Sequence, residues 1–132
     1  MLHVYFRYIY TLFRMKMENL NALEVVLIGG LVQKYPQMEA HVSHLRVSKR
    51  ELTSTGLCIH IDYQDFEQEV EPINALFSNS ENIEITGLKK GLGYVIDITN
   101  GIIQYIELVT YGEKWNGKIG DFRLIPNILL EE

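Results

Sequence analysis

The sequence predicts a single α+β domain, with an N-terminal helix or helix pair packed on one face of a mainly antiparallel β-sheet. Three observations carry this reading. Apolar residues recur at helical spacing between residues 20 and 45, the period then switches to two, and an Asn-Gly pair separates two alternating apolar runs near the end. A chain of 132 residues, 47% hydrophobic and 22% charged, is the size of one domain and can bury a core without disulfides or a metal.

Residues 1–16 stand apart from the domain at 17–132, as an N-terminal extension or an edge strand. Leu2, Val4, Phe6, Tyr8 and Tyr10 alternate as a strand would, while Met15 and Met17 offer later translation starts. An interfacial anchor is a third reading. Arg7 interrupts the apolar stretch and no small-residue cleavage site follows, so it makes a poor secretory signal.

Leu20, Leu23, Leu27 and Leu31 then fall on one helical face, widened by Val26, Ile28 and Tyr35. Asn21 with Glu24 three residues on has the form of an N-terminal capping pair. Gly29 and Gly30 each weaken such a helix by roughly 1 kcal/mol relative to alanine. Pro36 breaks or bends it, and Met38, Val42 and Leu45 keep a helical spacing beyond the break.

The first hairpin follows. Leu45 and Val47 alternate with Arg46 and Ser48, Thr53 to Gly56 supply turn chemistry, and Leu57, Ile59, Ile61 and Tyr63 face one way while Cys58, His60 and Asp62 face the other. Residues 62–71 carry Asp62, Asp65, Glu67, Glu69 and Glu71 with no base. The "INALFSNSEN" stretch after Pro72 reads as a loop with a short helix carrying Ile73, Leu76 and Phe77. In "GYVIDITNGIIQYIEL", Asn100 and Gly101 both tolerate the positive φ that a type I′ turn requires. A two-residue loop without irregularity pairs Ile98 with Ile103, Ile96 with Tyr105 and Tyr94 with Glu107, which puts Glu107 on the apolar face. "DFRLI" reads as a last short strand.

Composition narrows function. A net charge of −5 opposes the phosphate contacts of a bulk nucleic-acid binder and favours a cationic protein partner. One cysteine, Cys58, cannot form an internal disulfide and fits a reducing, cytoplasmic setting. No apolar run approaches the roughly 20 residues of a membrane span. "GLKKGLG" at 87–93 lacks the Gly-Lys-Ser/Thr ending and following helix of a phosphate loop, so it reads as a turn between strands. Cys58, His60 and Asp62, with His41 or His44, are metal-ligand types on one strand face, but without the paired spacing of a zinc site; neither metal nor cofactor is expected. The acidic run lacks the oxygen spacing and central glycine of a calcium loop.

The end of the second hairpin is the other candidate. Glu107, Tyr111, Glu113 and Trp115 place two carboxylates and two aromatic rings within nine residues, and Tyr and Trp are enriched at binding hot spots. With Asp65, Glu67 and Glu69 of the acidic run they form the expected partner-binding set. A solvated sheet margin is the plainer reading of Glu107.

The segments "RVSKRELTSTGLCIHID" and "EITGLKKGLGYVIDITNGIIQYIELVTYGEKW" resemble a family of small uncharacterised bacterial proteins. Its pattern is an Arg-Glu-x-Thr-x-x-Gly strand entry, a Gly-x-Gly turn, and a hairpin ending in Leu-Glu followed by Tyr-Gly-Glu and Trp. Arg50, Glu51, Thr53, Gly56, Gly91, Gly93, Glu107, Tyr111, Gly112, Glu113 and Trp115 carry the likeness, with Ile106 in place of the usual leucine. It covers roughly residues 42–116 and implies an α+β domain in a bacterial cytoplasm, with no reaction attached.

Two classes of function remain. One is a non-enzymatic interaction module, of the immunity type, that binds a cationic partner. The other is a small hydrolase, or a ligand- or metal-binding protein, that uses Glu107 and Glu113 or Cys58 and His60. No residue is assigned a catalytic role.

Overall fold

A computed structural model describes residues 19–126; the expectations for residues 1–16 lie outside that range. Helix α1 (Ala22–Lys34) leads into a 3-10 helix (Pro36–His44), followed by strands β1 (Leu45–Thr53), β2 (Gly56–Tyr63), β3 (Ala75–Phe77), β4 (Glu81–Ile85), β5 (Leu92–Thr99), β6 (Ile102–Thr110) and β7 (Phe122–Pro126). The strands form one sheet in the order β1-β2-β6-β5-β4-β7, with β3 beside β5, and every pairing is antiparallel.

Helix α1 starts where the capping pair predicts. Asn21 Oδ1 accepts from the Glu24 amide at 2.9 Å, and Glu24 Oε1 accepts from the Asn21 amide at 2.8 Å, so two of the unpaired donors of the first turn are satisfied. The helix ends at Tyr35, whose amide donates to the Leu31 carbonyl, and Pro36 opens the tighter turns that follow. Burial exceeds the single stripe: Leu23 to Gly29, Leu31 and Val32 are all buried. Glu24 is among them at 0% exposure.

The sheet's inner face is the one whose residues join the core. Leu57, Ile59, Ile61, Ile83, Ile85, Tyr94, Ile96, Ile98, Ile103, Ile106 and Leu108 form one cluster with Leu23, Leu27 and Leu31 of α1 and with Met38 and Val42 of the 3-10 helix. One row runs Phe77, Ile96, Ile106, Ile59, Arg50 across five strands. Its last member reaches α1: Arg50 donates through Nε to Glu24 Oε2 and through its terminal nitrogen to Glu24 Oε1, both at 2.7 Å. A bulge at Ser48 makes this possible. Val47 pairs with Ile61 but Lys49 with His60, so the skipped residue turns Arg50, rather than Lys49, inward. The Val47 amide on this edge strand donates to the Asn19 side chain.

The second hairpin turns at Asn100 and Gly101 with φ of 52° and 78°, as expected. Beyond it the register differs from the unbroken one. Ile98 pairs with Ile103, but Asp97 pairs with Tyr105 and Ile96 with Ile106, leaving Gln104 as a bulge. Glu107 therefore lies on the outer face, opposite Val95, and not on the apolar face. The unbroken register would have buried a carboxylate among isoleucines, whereas the bulge leaves one residue unpaired and sends Ile106 and Leu108 inside.

A second correction concerns residues 75–77. They form strand β3 along β5, opposite Ile98, Asp97 and Ile96, where a short helix was expected. Only Phe77 of the three is buried, and Leu76 is 68% exposed, which fits strand alternation and not a helical face. The first hairpin turn brings strands very close: a Cβ on Gly56 would lie 1.8 Å from the Leu108 carbonyl oxygen.

Candidate functional site

The four residues of the expected rim do not share one surface. Glu107 sits on the outer face between Cys58 of β2 and Val95 of β5. Tyr111, 50% exposed, lies over Gly93, where a Cβ would meet its hydroxyl at 2.9 Å. Glu113 reaches back to the turn before β5, accepting from the amides of Lys89 at 2.9 Å and Lys90 at 2.7 Å. Those two bonds, the Lys90 one first, hold its carboxyl below the usual carboxylate range. Trp115 packs against the core, and its buried indole N–H meets no acceptor among the described residues. Around Glu113 and Trp115 lie the exposed Lys89, Lys90, Lys114 and Lys118, with Asp121 the exposed acid nearby. That end of the sheet carries more cationic than anionic side chains.

The acidic run lies at the other end of the hairpin. Ile102 and Thr110 bound β6, so its length of nine residues sets these ends about 25 Å apart. Asp65, Glu67 and Glu69 are exposed, on a connection anchored at both ends. Phe66 packs on His41, His44 and Tyr63 with ring centroids 4.7 to 5.2 Å apart. The Gly101 amide donates to the Ile73 carbonyl, and Asn74 Oδ1 accepts from the Asn100 amide. Beneath the connection, Tyr63 places its hydroxyl 2.7 Å from His41 Nδ1 and accepts from the Ile103 amide. Burial, and then the charge of His44, lowers the His41 pKa, while burial pushes the Tyr63 phenol up to about 12.

Between the two ends, the outer face carries two cross-strand rows. One is Glu51, Cys58, Glu107, Val95; the other is Lys49, His60, Tyr105, Asp97. A shallow depression of about 560 Å³ is lined by His60, Asp97, Thr99, Ile102, Gln104 and Tyr105. His60 Nε2 lies 3.2 Å from Glu51 Oε1, so the histidine's partner is a carboxylate and not the neighbouring thiol. Burial, Glu107 and Glu51 all raise the Cys58 thiol pKa, which opposes the thiolate that a nucleophile needs. The Tyr105 phenol is likewise pushed up, by partial burial and then by Asp97 and Glu107.

Glu107 and Glu113 are not brought together as an acid and base pair: one stands in a cross-strand row and the other is bound to a turn. Among the described residues no group of three His, Cys, Asp or Glu is placed to hold a metal ion. No helix there is long and apolar enough to cross a membrane. Sequence reasoning missed Asp97 and Tyr105, because the unbroken register turned Tyr105 inward; Gln104, a polar residue inside an apolar run, was the available signal. No family model matches the chain, and neither a curated protein nor a solved structure matches it.

Proposed function

We infer that the protein is a non-enzymatic interaction module, of the immunity type, that receives a basic protein partner on the outer face of its sheet. In this reading the helices pack on the inner face and leave the outer one open, and the setting is a bacterial cytoplasm. The observation that carries it is the pair of outer rows, which set Tyr105 among Asp97, Glu107 and the Glu51–His60 pair. An aromatic ring flanked by carboxylates suits a lysine or arginine side chain, by cation–π attraction and by charge. The exposed Asp65, Glu67 and Glu69 extend the negative field beyond the hairpin turn and would raise the association rate more than the final affinity.

The hydrolase alternative finds less support. Burial, and then Glu107 and Glu51, raise the pKa of its thiol, and its glutamate pair is split between separate structural roles.

Native mass spectrometry of the tagged protein, captured gently from its host's lysate, tests the reading. A stoichiometric basic protein should accompany the wild type and be lost from the Tyr105→Ala, Glu107→Lys double variant at unchanged melting temperature. A bound metal or small molecule in place of a protein would sink it.

A further inference from the structure

In a chain of net charge −5 the lysines are unevenly placed. Lys89, Lys90, Lys114 and Lys118, all exposed, gather where β4 passes to β5 and where β6 leaves toward β7. Glu113 is the reason they meet. By accepting from both the Lys89 and Lys90 amides it draws the 86–91 turn against the loop that carries Lys114 and Lys118. Between turn and loop opens a groove of about 740 Å³, lined by Thr86, Gly87, Lys114, Trp115, Lys118 and Ile119 among others. Glu113 and Asp121 are the nearby acids without a cationic side-chain partner, since Glu84 is bound to Arg123 at 2.8 Å, so the local field is positive.

We propose that this groove binds a nucleoside phosphate, with the phosphate held by Lys114 and Lys118 and the base set against Trp115. The volume is that of a small-molecule site, lysine ammonium groups bind phosphate as point charges, and an indole is a tolerant platform for any base. This is not a phosphate loop. The amides of the turn already hold the Glu113 carboxylate and a strand follows them, so side chains and not backbone take the ligand. The site is independent of the partner face, which lies on the outer rows nearer the hairpin turn.

Trp115 is the chain's one tryptophan, so intrinsic fluorescence reports on the groove directly. Titration of the full chain with ATP at low salt, followed by fluorescence and calorimetry together, should give saturable binding with a Kd below about 1 mM. The Lys114→Ala, Lys118→Ala double variant should weaken it about tenfold or more, and Lys34→Ala, at the far end of α1, should leave it unchanged. Absence of both heat and fluorescence change, or equal binding by the double variant, overturns the proposal. Inorganic phosphate binding as tightly as ATP removes the base contact and with it the nucleoside class. Tighter binding of a single-stranded oligonucleotide than of ATP assigns the groove to a polymer and overturns the small-ligand reading. None of these outcomes bears on the basic-partner reading, which is tested by variants of other residues.

Discussion

Glu24 and Glu113 are both glutamates whose two oxygens each accept a hydrogen bond from a residue distant in sequence, yet their surroundings are opposite. Glu24 is fully buried between α1 and β1, holding the Asn21 amide and the Arg50 guanidinium. Glu113 is at the surface and holds two backbone amides of a turn. The same chemical group therefore registers a helix against a sheet in one place and a turn against a loop in the other. The difference is solvent: a buried carboxylate without its cation has no water to replace it, and an exposed one does.

Removing the buried partner should have the largest effect. Arg50→Ala leaves the Glu24 carboxyl group enclosed with one remaining amide, and should cost about 3 kcal/mol, a fall in Tm of about 10–20 °C by thermal unfolding. Replacing both residues by leucine should recover most of that loss; a double variant as unstable as the single one would show the pair to be more than mutually compensating. Tyr63→Phe comes next. It strips the hydroxyl that faces His41 and accepts from the Ile103 amide, and should cost about 1–3 kcal/mol in denaturant unfolding with an unchanged m-value.

Acid should act through His41. Its folded pKa lies below the ordinary 6.5, so the unfolded chain binds the proton more readily. The stability it contributes is complete above 6.5 and is lost as pH falls through the lowered folded value. Unfolding curves between pH 7 and 5, roughly, should lose this slope in His41→Gln; an unchanged slope would assign it to other groups. Glu113→Ala should be the mildest: faster hydrogen exchange at the Lys89 and Lys90 amides, with protection of the β5 and β6 core amides kept. Loss of protection throughout the sheet would place Glu113 with Glu24 and erase the contrast.

The elements with a local signature were legible in the sequence: the Asn21 and Glu24 cap, the break at Pro36, the turn at Asn100 and Gly101, the face assignments of β2, and β7. What was not legible depended on a single skipped residue. The bulges at Ser48 and Gln104 follow from which side chains the core accepts, and no local propensity announces them. The Glu24–Arg50 bridge spans 26 positions, so the sequence showed Glu24 only as a capping residue and gave no sign of its partner. The candidate rim was drawn from proximity in sequence, whereas the fold distributes it: Glu107 lies on the outer face, Glu113 on a turn and Trp115 against the core.

The Gln104 bulge also divides β6 into two phases of alternation. Ile102 and Ile103 keep the phase set by the turn, and everything from Tyr105 to Thr110 runs in the opposite one. A deletion of this one exposed glutamine would therefore leave every later residue of β6 on its present face. Tyr105 would follow Ile103 directly and still stand opposite Asp97, with Ile106 and Leu108 inside and Glu107 outside, so β6 can lose this residue, and only this bulged one, without exchanging its inside for its outside.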